Sequence, residues 1–175
     1  MASVTTIKRV YRDAISLDEV YHNTSGLVRA VLSYASPVRY DDSFFNELFP
    51  SKTIKNAPSI ISQLAYYGEI AVGTLKANLV TNDNTMGKPP GIHIESLCVL
   101  PAYRNKSIGT KLLNYIEEQS TKLHQRNIYV YIPIDDEDTQ QWYSKRGFEK
   151  HKGVVTNHLM TKTGSTDCFL YIKKL

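Results

Sequence analysis

The stretch "IHIESLCVLPAYRNKSIGTKLL" (92–113) contains the change of rhythm that decides this chain's fold. Its first nine residues form an apolar run, the pattern of a strand. Pro101 stops it, because proline cannot donate to a sheet ladder. From Ile108 the apolar positions fall at helical spacing, with Leu112, Leu113, Ile116 and Leu123 on one face of a helix reaching about His124. A strand, a donor-rich loop and a helix thus follow one another. Next comes "NIYVYIPI" (127–134), a nearly continuous apolar strand of the kind covered on both faces.

Upstream, "IISQLAYYGEIAVGTLKANLV" (60–80) reads as two strands joined by a turn at Gly68-Glu69. "TNDNTMGKPPG" (81–91) is a turn-rich loop, and "SKTIKNAPS" (51–59) is polar and loose. "TIKRVYRD" (6–13) reads as a short first strand. "SLDEVYHNTSGLVRAVLSYA" (16–35) has helical spacing interrupted near Asn23 to Gly26, with Ser16 as N-cap and Glu19 completing a capping box. "SPVRYDDSFFNELFP" (36–50) is a loop and a short helix closed by Pro50. Downstream, "DDEDTQQWYSKRG" (135–147) is an acidic-fronted helix ended by Gly147. Strands are expected at "FEKHK" (148–152) and "CFLYIKKL" (168–175). The sum is a mixed α/β (α+β) single domain over residues 1–175.

The bulk numbers agree with that size. A chain of 175 residues can bury one sizeable core, and 42% hydrophobic with 22% charged residues is an ordinary globular composition. The net charge of +4 leans only mildly towards an anionic ligand, the ribosome or nucleic acid. Cys98 and Cys168 lie inside apolar runs, as buried free thiols of a reducing compartment do, rather than as a disulfide framework or metal site. The first residues have no apolar signal core, and no 18-residue apolar run occurs. The expected location is cytoplasmic, or nuclear, without metal, membrane or specific DNA binding.

The loop before Ile108 is the first candidate site. A helix N-terminus presents unpaired N–H groups and a partial positive charge, Arg104 and Lys106 add cations, and Gly109 allows close approach. The order of "YYGEIAVG" (66–73), "SLCVLPAYRNKSIG" (96–109) and "WYSKRGFEK" (142–150) resembles the GNAT superfamily of acetyl-CoA-dependent acetyltransferases. The likeness is closest to the N-terminal acetyltransferase E (NatE) subgroup, echoed in "SPVRYDDSFF", "LAYYGEIAVG", "PAYRNKSIGTKLLN" and "NIYVYI", and it spans roughly residues 36–175.

That resemblance implies a central twisted sheet in which "IHIESLCVL" and "NIYVYIPI" run parallel and splay apart, joined by the long crossover that parallel neighbours need. It implies that acetyl-CoA is held by Leu97, Val99 and the loop Arg104, Asn105, Lys106, Ser107, Ile108, Gly109 and Thr110. Ser107 stands where the family's loop has glycine. The hallmark ending matches as "WYSKRGF", which makes Tyr143 the group beside the CoA sulfur. Pro37, Val38 and Tyr40 match the loop that holds the substrate's first residues, although Ser36 replaces the phenylalanine that begins it. The aromatic pair of the family's late hairpin falls near "TNHLM" (156–160), where His158 is offered instead.

The chemistry needs a base. An α-amine of pKa about 8 must lose a proton as it attacks a thioester. Period-two alternation places His93, Glu95 and Leu97 on one strand face and Tyr129 and Tyr131 on one face of the next. His93 and Tyr131 are the first candidates, exchanged relative to the subgroup's tyrosine and histidine, and Glu95 is the reserve. Cys98 is expected on the opposite face from His93, so attack is expected to be direct. Ser107 is expected to weaken cofactor binding and to cap the helix in a cofactor-free form. Two functions remain open. One is an acetyltransferase acting on nascent-chain N-termini, preferably Met-starting. The other is a weakly active or non-catalytic accessory subunit of the ribosome-associated NatA complex, contacting its catalytic and auxiliary subunits.

Overall fold

A computed structural model describes residues 15–49, 60–81 and 89–175. Its elements run β1 (Ile15–Glu19), α1 (Ser25–Ala35), α2 (Asp42–Asn46), β2 (Ile60–Tyr67), β3 (Ile70–Val80), β4 (Gly91–Val99), α3 (Ile108–Lys122), β5 (Asn127–Pro133), α4 (Glu137–Ser144), β6 (Glu149–Lys150), β7 (Val155–Thr161) and β8 (Gly164–Lys174). A short 3-10 turn, Pro101–Tyr103, links β4 to the loop before α3.

The strands form one sheet in the order β1-β2-β3-β4-β5-β8-β6, with β7 also paired to β8. Every pairing is antiparallel except β4 with β5, which are parallel, as the long α3 crossover demands. Helix α3 covers one face. Its Leu112, Leu113 and Ile116 close on Leu75, Ile92, Ile94, Ile128 and Val130. Helices α1 and α2 cover the other, where Val28, Leu32, Phe44 and Leu48 pack on Leu64.

Several sequence expectations need correction. Ser16 and Glu19 do not form a capping box, because both lie in β1, paired with Tyr66 and Gln63 of β2. The helical spacing over 16–24 lost to edge pairing, and α1 begins only at Ser25. The expected strand 6–13, the loop 51–59 with Pro50, and residues 82–88 lie outside the described residues. Helix α3 stops at Lys122, with His124 at φ +54. The tail holds a β7–β8 hairpin, and β8 begins at Gly164 rather than 168 because Gly164, at φ +134, closes the turn.

Candidate active site

Strands β4 and β5 pair only at Ile92–Ile128, His93–Tyr129 and Ile94–Val130, then part. A bulge marks the parting point. Ala77 of β3 faces Ile94 and Lys76 faces Ser96, so Glu95 is the extra residue. The gap is a cavity of about 1040 Å³ between β4, β5, the start of α3, α4 and the 36–40 segment. On the side facing β5, the edge of β4 from Glu95 to Val99 has no strand partner, so its backbone groups open into the cavity.

The bulge reverses the side-chain alternation. Partners across β3 and β4 share a face, so His93 goes with Asn78, Ser96 with Lys76, and Cys98 with Thr74. Leu97, opposite Leu75, points to the α3 side. The expected grouping of His93, Glu95 and Leu97 therefore fails at Leu97. Cys98 shares the face of His93 rather than opposing it. One inserted residue is enough to flip a period of two.

Around Cys98 the cavity wall is built from protonated groups. Tyr143, 4% exposed, sits between Trp142 and Phe148 at ring distances of 4.9 and 5.0 Å. Burial holds its phenol well above the ordinary tyrosine pKa, and Cys98 and Tyr40 add to the shift. Tyr40 rests on Phe44 at 4.3 Å, and burial raises its pKa as well. Ser36 Oγ lies 3.4 Å from the Tyr40 hydroxyl and accepts the Val38 N–H at 3.1 Å. The Cys98 thiol is pushed up to about 11, chiefly by burial. Near neutral pH each of these is a donor and none an anion.

His93 and Tyr131 do meet, at 5.4 Å edge to face. Tyr131 lines the cavity, and burial raises its pKa. His93 lies beneath, 7% exposed, stacked on Tyr129 at 4.9 Å. His158 lies over Tyr131 with ring centroids 3.9 Å apart, carried there by an irregular stretch of β7 in which Asn157 takes φ +49. Glu95 lines the cavity too, but both its oxygens are engaged. Asn78 Nδ2 donates to Oε1 at 2.6 Å, and the Lys76 ammonium lies 2.8 Å from Oε2, off the ideal hydrogen-bonding direction.

At the other end of the cavity, Asn105 and Ser107 adopt φ +61 and +62, the left-handed region glycine favours. Ser107 does precede α3, but its side chain makes no cap hydrogen bond, contrary to expectation. Gly109 packs closely: a Cβ there would come within 3.1 Å of the Trp142 ring, which would have to give by a few tenths of an ångström. The Arg104 side chain folds onto carbonyls, donating from Nε to Val99 at 3.1 Å and from Nη2 to Ala35 at 3.4 Å. Lys106 lies over the Tyr67 ring at 5.2 Å. Ile108 is buried in the core against Gly73 rather than presented to the cavity alone.

Two residues escaped the sequence reading. Arg146 lies over the Trp142 ring at 3.8 Å, donates to Thr110 Oγ1 at 3.0 Å, and buries its Nε without a partner. Its spacing from Trp142, four residues along a helix, was the available signal. Lys76 is wholly buried, and a lone lysine inside "AVGTLKANLV" (71–80) was its signal.

The substrate-side segment is tied to the late hairpin. Val38 bridges Thr161, Arg39 N–H donates to Met160 at 2.8 Å, and Lys162 N–H donates to Pro37 at 3.0 Å.

Comparisons with known proteins bear on this arrangement. Residues 26–148 match the Acetyltransferase (GNAT) family. An uncharacterised N-acetyltransferase of Schizosaccharomyces pombe is 37% identical over 103 residues, 58% of this chain and 68% of that protein. N-alpha-acetyltransferase 50 of Danio rerio is 30% identical over 136 residues, 75% of this chain and 72% of its own length. Among solved structures, Arabidopsis thaliana Naa50 in complex with the bisubstrate analogue CoA-Ac-MVNAL superposes with a TM-score of 0.73 at 27% identity, covering 92% of this chain and 99% of that one.

Proposed function

Because the chain belongs to the acetyltransferase (GNAT) family, we propose that it transfers acetyl from acetyl-CoA to the α-amine of a peptide or nascent chain, preferably one starting with methionine. The observation that carries this reading is the cavity at the β4–β5 parting, where Tyr143 faces one side and Tyr131, with His93 behind it, faces the other. The likeness to N-alpha-acetyltransferase 50 and to the Naa50 complex supports the choice of an α-amine.

The residues fit a thioester cofactor. An unpaired strand edge can hold an amide-rich arm, and the start of α3 offers N–H donors to a pyrophosphate. The buried, unpartnered Arg146 Nε sits at the same end. Bound there, acetyl-CoA supplies the electrophilic carbonyl. The amine nitrogen then bonds to that carbon as the carbon–sulfur bond breaks. The amine's proton leaves by way of the Tyr131–His93 pair, directly or through one water. The Tyr131 phenol, kept protonated by its raised pKa, takes it only while passing its own proton on towards the His93 ring packed against it. Tyr143 holds a hydrogen-bond donor to the departing sulfur, a role its raised pKa preserves. Cys98 stands on this face, but burial keeps it a thiol, so transfer is direct without an acyl-cysteine stage.

The Ser107 side chain, in place of the glycine of similar loops, is the feature that argues for a reduced cofactor affinity. Its φ of +62, worth about 1–2 kcal/mol at a non-glycine residue, is already present without the cofactor and is a cost to the fold. We place the reaction in the cytoplasm, at nascent chains, with the NatA subunits as partners on the ribosome. Steady-state acetylation of Met-starting peptides, by the protein alone and then with NatA added, tests the reading. Turnover in either setting supports it. No turnover in both, with the fold intact, assigns the chain to the accessory role.

A further inference from the structure

Lys76 is 0% exposed, in the middle of β3, and lysine is among the residues least often buried. Its ammonium meets Glu95 Oε2 at 2.8 Å, the Phe44 carbonyl at 3.1 Å and Glu47 Oε2 at 3.4 Å, and it lies over the Phe44 ring at 4.1 Å. A desolvated charge persists only when its partners are well placed. These partners come from two other elements: the bulge of β4, and the short helix α2 with the residue just after it. Helix α2 begins two residues after Tyr40, with Asp41 as its N-cap, and Phe44 is the surface on which Tyr40 rests. On its other side the same segment is fastened to the β7–β8 hairpin by Val38 and Arg39.

We infer that Lys76 is a positioning residue, which clasps the substrate wall from Ser36 to Tyr40 against the β4 bulge, with the Glu95 carboxylate serving as the fixed anion of that clasp. The inference rests on the proposed function for the word substrate; the clasp itself rests on the contacts alone. Glu95 is well suited to this part and poorly suited to proton removal. Asn78 occupies one of its oxygens and Lys76 the other, so a proton taken by Glu95 would break the ion pair that fixes α2. The bulge keeps Glu95 within reach of both partners. Asn78 and Lys76, two residues apart on β3, share the face to which His93 and Ser96 are paired, and Glu95, the extra residue between those two, meets both side chains. Without the Glu95 carboxylate the buried ammonium would keep only the half-exposed Glu47 and a carbonyl.

The test uses the full chain and three variants: Lys76→Met, Glu95→Gln, and the two combined. Lys76→Met is expected to raise the peptide KM at least tenfold, with kcat within threefold and the acetyl-CoA Kd within twofold of the parent. Backbone amides of 38–48 should exchange hydrogen at least tenfold faster, while those of α3 stay unchanged. Glu95→Gln should move KM in the same direction and keep the acidic limb of the kcat/KM pH profile. If Lys76→Met alone fails to fold, the double variant removes both buried charges together, and faster exchange over 38–48 is expected there. Unchanged exchange in a folded variant lacking Lys76 overturns the clasp. A hundredfold fall in kcat for Glu95→Gln with loss of the acidic limb overturns it too, giving Glu95 the proton. Should the parent acetylate no peptide, the proposed function fails while the exchange measurement still decides the clasp.

Discussion

On the α3 side of the central sheet, Ile92, Ile94, Leu75, Ile128 and Val130 meet Leu112, Leu113 and Ile116 in an apolar layer. On the α1–α2 side, the same strands present Thr74, Lys76, His93 and Ser96, all buried, together with Glu95 and Cys98. Strand register alone divides the two sets, since each β3 residue and its β4 partner share a face. The apolar face stabilises the fold. The polar face, whose groups are expensive to bury without partners, is where the cavity opens. Polar burial in a sheet of this kind therefore points to the site more directly than the loops do.

The comparison breaks first if the polar face carries no chemistry. Tyr131→Phe and His93→Ala are expected to lower kcat by ~10²–10⁴-fold, the usual contribution of a positioned base. The acetyl-CoA Kd should stay within about twofold, as read by calorimetry. Loss of cofactor binding in step with kcat would make these residues structural. Next is the stability contrast. Leu112→Ala should destabilise by about 2–5 kcal/mol in denaturant unfolding, because it empties space in a sealed apolar layer. Ser96→Ala should be close to neutral or stabilising, because the Ser96 hydroxyl is buried without a hydrogen-bond partner. Equal losses at the two positions would erase the distinction.

A third prediction uses the thiol. Cys98 rises from the ordinary value of 9.0 to about 11, so below pH 9 its thiolate fraction is about 100-fold lower than that of a free thiol. A raised value means the neutral form is favoured. Alkylation of Cys98 in the folded protein should therefore be slow at pH 8 and accelerate as pH climbs towards 11. Fast labelling at pH 8 would mean an open, solvated thiol. The smallest expected effect is at Ser107. Glycine there relieves a left-handed serine, so the fold should gain about 1–2 kcal/mol in denaturant unfolding. Unchanged or lower stability would show that the turn carries no strain at Ser107.

The sequence carried the βα unit around Pro101, the two strands before it and the meeting of His93 with Tyr131, because long apolar runs with clear stops and strand adjacency leave few alternatives. It did not carry β1, where a sound local capping box at Ser16 and Glu19 lost to pairing with a distant strand. Nor did it carry the bulge at Glu95. One extra residue changes no local propensity, yet it decides that Cys98 shares a face with His93 and that Leu97 does not. Lys76 and Arg146 were visible as residues but not as partners, since Phe44, Glu47 and Thr110 are brought to them only by folding.

The central claim is that acetyl moves from acetyl-CoA to an α-amine in the cavity between β4 and β5. It is tested most directly by incubating the protein with acetyl-CoA and a Met-starting peptide that also contains an internal lysine, then locating the product by tandem mass spectrometry. The account predicts acetyl on the terminal nitrogen, the lysine unmodified, and no product from the same peptide with a blocked N-terminus. Acetyl found on the lysine, or product formed equally well from the blocked peptide, would contradict it.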